Sequence, residues 1–233
     1  MAAGSELAQD DASLYERGFI VIPGPVPPEQ MQRLADVYDH VVASAAGDDI
    51  KIGSTSTRVN DFVNRDAEFD DLYIFPPLLD AARRVIGRPF KLSSLHARTV
   101  PPHFPALVQD LHVDVRRDSA DWPLLAFILM VDEFRPDNGA TRFVPGSHRS
   151  AKALAERDES DVEVLACGAA GSLLVFNGST WHEHGPNVSN GPRRSIQGAF
   201  IPRDGRAGTD FAARMSTETR ARLSPLAQQV LAL

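Results

Sequence analysis

The sequence predicts a mainly β domain with flanking helices, a barrel or sandwich of the double-sheet jelly-roll kind. Three observations carry this. Short apolar runs of strand length recur between residues 90 and 202, each bounded by Gly, Pro or Asn/Asp turn formers. Helix-spaced patterns lie outside that block, near the N-terminus and again over about 210–231. The chemically most pointed pattern, His112-Val113-Asp114, reads as strand, where a side-chain period of two puts imidazole and carboxylate on one face.

In order, residues 1–10 read as a loose tail, and 13–18 as a short helix closed by Gly18. Phe19-Ile20-Val21-Ile22 is a strand ended by Pro23-Gly24-Pro25. From Pro28 the apolar residues Met31, Leu34, Val37, Tyr38, Val41 and Val42 keep helical spacing to about Ala46. Residues 47–68 are polar and rich in Gly, Ser, Thr and Asn; a loop of that length suggests a lid over a pocket. Residues 69–86 read as helix interrupted at Pro76-Pro77, 90–100 as a strand, and 108–113 as the strand bearing the His/Asp pair. The run 123–134 suits a central strand buried on both faces. Turns at 136–139 and 145–149 bracket a short strand at 141–144. Residues 151–157 read as a helical insert, and 162–167, 172–176 and 193–201 as strands.

Composition bounds the function. The chain has 233 residues, 43% apolar, enough for one sizeable core over 1–233. Net charge is −7 without a long basic run, which argues against a nucleic-acid partner. The lone Cys167 excludes an intramolecular disulfide and a cysteine-rich zinc site, and its apolar neighbours suggest a small buried side chain. Residues 1–10 show neither a basic start nor an apolar run, and the longest apolar run, 124–131, is too short for a bilayer. A cytoplasmic setting, off the membrane, is expected.

His112 and Asp114 need a third ligand. The segment Trp181-His182-Glu183-His184-Gly185 offers two imidazoles of the same strand parity, so alternation leaves His182 and His184 both open. Two His and one carboxylate on one face of a metal, with the remaining positions open, is the facial triad of non-haem Fe(II) oxygenases. Arg193 opens the following strand, where a guanidinium can clamp a carboxylate through two parallel hydrogen bonds. Asn138 serves either as a turn residue before Gly139 or as part of the site's frame, His148 follows a Pro-Gly turn as a buttress, and Arg116 and Arg117 either sit in a solvated loop or meet an anionic substrate at the rim. His40, His96 and His103 have no evident partner in the sequence.

Gln109-x-x-His112-x-Asp114, then Asn138-Gly139-Ala140-Thr141-Arg142-x-x-Pro145-Gly146-Ser147-His148, then Trp181-His182-x-x-Gly185-x-Asn187-x-Ser189 with Arg193 eleven places after His182, resembles the phytanoyl-CoA dioxygenase family. The Gly18-Phe19-Ile20-Val21-Ile22-Pro23 opening is similar too. The resemblance implies a double-stranded β-helix, the cupin-like jelly roll, over about 90–202. It implies Fe(II), 2-oxoglutarate and O2 as reactants, His112, Asp114 and His182 as metal ligands in preference to His184, and Arg193 on the distal carboxylate of 2-oxoglutarate. Gln109 and Thr141 match positions that contact 2-oxoglutarate in some members. Strand alternation turns Gln109 away from His112, which a bulge would reconcile. The implied reaction is hydroxylation, or another oxidation of an unactivated C–H bond in a small metabolite, with release of succinate and CO2. A carboxylate at Asp114 fits hydroxylation rather than halogenation. Two alternatives share the triad, a metal hydrolase and a binding protein without turnover, and the hydrolase has no use for Arg193.

Overall fold

The computed structural model describes residues 13–103, 111–114 and 124–233. The expected tail 1–10, Gln109 and the Arg116-Arg117 loop lie outside these residues. Residues 13–17 are helical (α1). Strand β1 (Phe19–Pro23) follows, then a 3-10 turn at Pro28–Gln30 that leads into α2 (Met31–Ser44). Next come β2 (Ile50–Ile52), β3 (Thr57–Val59), α3 (Pro76–Ile86) and β4 (Phe90–Val100). The remaining strands are β5 (Leu125–Met130), β6 (Thr141–Phe143), β7 (Val164–Ala166), β8 (Ser172–Asn177), β9 (His182–His184) and β10 (Arg193–Pro202). Three short helices close the chain: α4 (Phe211–Arg214), α5 (Thr217–Arg222) and α6 (Pro225–Leu231).

Among the described residues the strands form two antiparallel sheets. The major sheet runs β1-β8-β5-β10-β4-β3-β2 and the minor one β7-β6-β9. Phe143 of the minor sheet stacks on Phe19 of the major one at 4.3 Å and meets Phe176 edge-on at 5.2 Å, so the sheets face each other. Ala126, Ile128, Met130, Leu174 and Phe176 complete that inner apolar layer. The other face of the major sheet, with Phe127, Leu129, Val175, Ile196 and Phe200, packs under α2, α3 and the C-terminal helices. Strand β5 is therefore buried along its whole length, as its unbroken apolar run requires. Each Leu, Ile, Phe or Met side chain so buried contributes roughly 1.5–3 kcal/mol by leaving water.

Several elements differ from the expectations. Residues 47–68 hold a hairpin, not an irregular loop: β2 pairs with β3, and β3 extends the major sheet on β4. The polar Gly53–Ser56 stretch is its turn, closed by Gly53 N–H to the Ser56 carbonyl at 2.9 Å. The helix expected over 69–86 begins only at Pro76, since proline suits a first helical turn and breaks anything before it. The insert at 151–157 is one 3-10 turn, Leu154–Glu156. The C-terminal helix is three pieces, because Ser216 and Ser224 cap new starts with their hydroxyls and Pro225 forbids continuation. Cys167 is exposed rather than buried: it follows inward-facing Ala166 at the end of an outer strand, so alternation turns it out.

Candidate metal centre

Strand β9 and residues 111–114, which carry one isolated bridge at His112 rather than a strand, meet at the site. His112 N–H donates to the His182 carbonyl and His182 N–H to the His112 carbonyl, both at 3.0 Å. This antiparallel bridge continues the minor sheet past β9. Asp114 N–H donates to the Gly178 carbonyl at 2.8 Å, tying the carboxylate's backbone to the turn after β8. The result places His112 Nε2 3.9 Å from Asp114 Oδ1 and His182 Nε2 3.7 Å from Asp114 Oδ2. One ligand atom from each of the three lies within 4.8 Å of the others.

His182 is the best-held member. Its ring packs against Phe143 (5.6 Å), Phe176 (4.8 Å) and the His112 ring (4.4 Å). Nδ1 lies 2.8 Å from the Thr180 carbonyl and so carries the proton, which leaves the Nε2 lone pair facing Asp114. Burial, more than any neighbouring charge, lowers its pKa and keeps the ring neutral, the form that can ligate. His184, the other candidate, points elsewhere. Its Nδ1 meets the Gly185 carbonyl at 3.0 Å and its Nε2 the Thr55 hydroxyl at 3.1 Å, and burial pushes its pKa down to about 4.

Arg193 and Arg194 show what alternation does to two identical side chains. Arg194 faces outward into Asp132, with Nη2 to Oδ1 at 2.7 Å, and Asp39, with Nη1 to Oδ2 at 2.7 Å. Arg193 faces inward. It is 1% exposed, its guanidinium lies 4.2 Å from the Phe134 ring, and none of its three side-chain nitrogens has a hydrogen-bond partner among the described residues. Burial first, then Arg98, pushes its pKa down to about 9. A buried unpaired cation costs several kcal/mol unless a ligand answers it.

Thr141 of β6 sits opposite His184 in register and is 4% exposed. His112, Asp114, Thr141, His182, His184 and Arg193 all line one small chamber of about 50 Å³. A second cavity of about 340 Å³ shares His112 and Asp114 and extends along β4 and β5. Arg58, His96 and Arg98 line it, none of which stood out in the sequence. The usable signal was their spacing in β3 and β4, read against a pairing that only the fold supplies. Two other expectations resolve plainly. Asn138 holds its turn, with its amide on the Glu133 carbonyl (2.7 Å) and its oxygen accepting from Arg135 N–H (2.8 Å). His148 buttresses α1 through the Tyr15 carbonyl at 2.9 Å. Glu183, between the two histidines of β9, is buried and pairs with Arg142.

Two imidazole nitrogens and one carboxylate oxygen suit ferrous iron, and a buried unpaired guanidinium in the same chamber suits a dicarboxylate beside it. The donor set therefore fits both groups.

A family profile described as phytanoyl-CoA dioxygenase (PhyH) matches residues 14–195. Dioxygenase af480 of Aspergillus fumigatus is 26% identical over 233 aligned residues, covering 95% of this chain and 75% of its own. Dioxygenase trt7 of Aspergillus terreus is 29% identical, over 81% and 71% of the two chains. The epimerase SnoN, solved with Fe3+, α-ketoglutarate and nogalamycin RO, superposes with a TM-score of 0.71 at 19% identity, over 85% of this chain and 84% of its own. HygX of Streptomyces hygroscopicus, solved with nickel, 2-oxoglutarate and hygromycin B, gives 0.65 at 16% identity, over 84% and 87%. At these identities the two structures establish the jelly-roll fold.

Proposed function

Because this chain belongs to the phytanoyl-CoA dioxygenase family, we propose that His112, Asp114 and His182 hold its iron and that Arg193 binds the far carboxylate of 2-oxoglutarate. The protein is an iron- and 2-oxoglutarate-dependent oxygenase. The observation that carries the residue assignment is the coincidence, in one chamber, of three converging ligand atoms and a buried guanidinium with no hydrogen-bond partner among the described residues.

Each side chain has a stated task. Thr180 fixes the His182 tautomer through its carbonyl, so Nε2 arrives at the metal deprotonated. Asp114 supplies the anionic ligand and occupies the place a halide would need. Arg193, stacked on Phe134, presents a rigid two-pronged donor at 2-oxoglutarate's far end and sets its direction. Thr141, on the same chamber wall, is a hydroxyl for the same cosubstrate. Gln109, matched by motif, is assigned a cosubstrate contact on that ground alone. Phe143 and Phe176 keep water from the His182 side of the centre. Bound iron with 2-oxoglutarate and O2 supplies oxidative decarboxylation to succinate and CO2, coupled to oxidation of a substrate C–H bond.

The substrate is a small molecule, hydroxylated or otherwise oxidised at an unactivated carbon. The bound nogalamycin RO and hygromycin B of the two structural neighbours support that class, as does the size of the 340 Å³ cavity beside the triad. The hydrolase alternative loses its ground, since it leaves Arg193 buried for nothing. Anaerobic addition of Fe(II) and 2-oxoglutarate tests the assignment. A weak visible charge-transfer band is expected in the native protein and in the Thr141→Ser variant, and none in Asp114→Ala. A full-strength band in Asp114→Ala refutes the ligand set.

A further inference from the structure

We propose that the primary substrate carries a neutral hydrogen-bond donor, in the first place a hydroxyl, received by the ring of His96, which makes His96 a specificity-determining residue of the 340 Å³ cavity. This rests on the iron and 2-oxoglutarate reading above, and it adds what that reading lacks, a recognised group on the molecule being oxidised.

The register of the major sheet gives this cavity two unlike ends. One row across the sheet runs His96 (β4), Gln197 (β10), Ile128 (β5) and Leu174 (β8). The next row runs Ser94, Ala199, Ala126 and Phe176 on the same strands. Residues opposite one another in such rows share a face of the sheet. All of them except Leu174 line the cavity, together with His112 and Asp114. The floor is therefore polar toward β4 and apolar toward β8, and the small side chains of Ala126 and Ala199 leave room between the two ends.

At the polar end His96 is incomplete. It is 9% exposed, and its Nδ1 has no hydrogen-bond partner among the described residues. A buried ring nitrogen left open is costly unless something polar meets it. Its neighbours decide what that something is. The Ser195 hydroxyl donates its one proton to the Arg98 carbonyl at 3.1 Å, so it accepts from the Gln197 amide nitrogen at 3.3 Å. That turns the Gln197 amide oxygen toward the cross-strand His96, whose ring proton it accepts. Burial first, then Arg58 and Arg98, pushes the His96 pKa well down, so the ring is neutral and holds a single proton. With that proton facing Gln197, the open nitrogen presents a lone pair and takes a donor. Arg58 and Arg98 line the same cavity and disfavour a cationic donor such as an ammonium. A neutral hydroxyl meets both conditions. The occupant lays an apolar body along Ala126, Ile128 and Phe176, sets its hydroxyl on His96, and turns the carbon to be oxidised toward His112 and Asp114.

The test uses the diamagnetic zinc-loaded protein with saturating 2-oxoglutarate and isotope-labelled histidine, read by nitrogen NMR. His96 Nδ1, assigned by the loss of its signal in His96→Gln, should resonate as an unprotonated ring nitrogen. The probes are cyclohexanol and borneol, each set against its methyl ether. Each alcohol should shift that signal in a saturable way and bind roughly tenfold or more tightly than its ether. His96→Phe, which keeps an aromatic ring, should erase the preference, and His96→Gln, which keeps an acceptor, should retain part of it. A protonated Nδ1 in the native protein, equal binding of alcohol and ether, no response to either alcohol, or a preference that survives His96→Phe overturns the proposal. If His96→Phe folds poorly, the shift and the preference in the native protein decide. A loss of 2-oxoglutarate affinity of about fivefold or more in His96→Gln, read from the anaerobic charge-transfer band of the iron-loaded protein, also overturns it, because the ring then serves the cosubstrate. Absence of that band in the native protein sinks the parent reading instead, and is seen before any alcohol is added.

Discussion

Replacing Arg193 by Met should make the protein without cosubstrate more stable and the cosubstrate much weaker, two effects of opposite sign from one substitution. The guanidinium is 1% exposed with no hydrogen-bond partner among the described residues. Exchanging a buried ion for an apolar side chain of similar length is commonly neutral to stabilising by about 1–4 kcal/mol. The lost stacking on Phe134, at 4.2 Å, takes back roughly 0.5–2 kcal/mol, partly restored by a sulfur–ring contact. A net gain of about 1 kcal/mol raises Tm by roughly 2–4 °C in a domain of this size. Loss of a charge-assisted contact worth about 1.5–3 kcal/mol weakens 2-oxoglutarate about 10- to 150-fold. The assay is a melt of the nickel-loaded protein with and without 2-oxoglutarate. The native protein should gain about 2.7 kcal/mol at a hundred times its Kd, and the variant only about 0.3–1.4 kcal/mol at the same concentration. A variant that melts several degrees lower without cosubstrate, yet binds 2-oxoglutarate as tightly, refutes the reasoning and makes Arg193 a structural cation.

Other substitutions probe the frame. Gly18→Ala should destabilise by about 1–3 kcal/mol in urea, because φ is +86° and a methyl there meets Thr180 Oγ1 and the His148 ring. It should also weaken metal binding, since Thr180 orients His182. Thr55→Val removes the hydroxyl on His184 Nε2 and should speed amide exchange across 50–59 while Tm moves by less than about 3 °C. Asp132→Ala strips the main partner of Arg194 and should cost about 1–3 kcal/mol, measured by urea unfolding. The Cys167 thiol is pushed up by partial burial and then by Glu133. Its thiolate fraction is therefore below that of the unfolded chain at pH 8, and native alkylation should be slower there, the gap closing above the raised pKa.

How much was legible in the sequence follows from which constraints are local. The closeness of His112 to Asp114, the buried run of β5 and the strand opening at Arg193 are written in neighbouring residues and stand as expected, although of the strand expected over 108–113 the described residues keep only the bridge at His112. The hairpin at 50–59 was not legible, because its strands are three residues each and draw their pairing from β4, some forty residues on in the fold's register. The choice between His182 and His184 was equally beyond alternation. Both rings are buried on the same strand, and only the bridge to His112 and the hydroxyl of Thr55 separate them. The Arg58 and Arg98 pair was hidden for the same reason: forty positions separate two residues that pairing sets side by side.

The backbone bridge between His112 and His182 has a bearing on maturation. These residues are 182 − 112 = 70 positions apart, and each donates to the other's carbonyl. Pairing so distant is slow to form and tolerates little disorder in what lies between. A nascent or half-collapsed polypeptide therefore owns the three donor side chains but has no place where they coincide. On the proposed ligand set, iron capture becomes a late event that reports closure of the whole roll, and a chain arrested before that point offers the metal nothing better than scattered imidazoles in water.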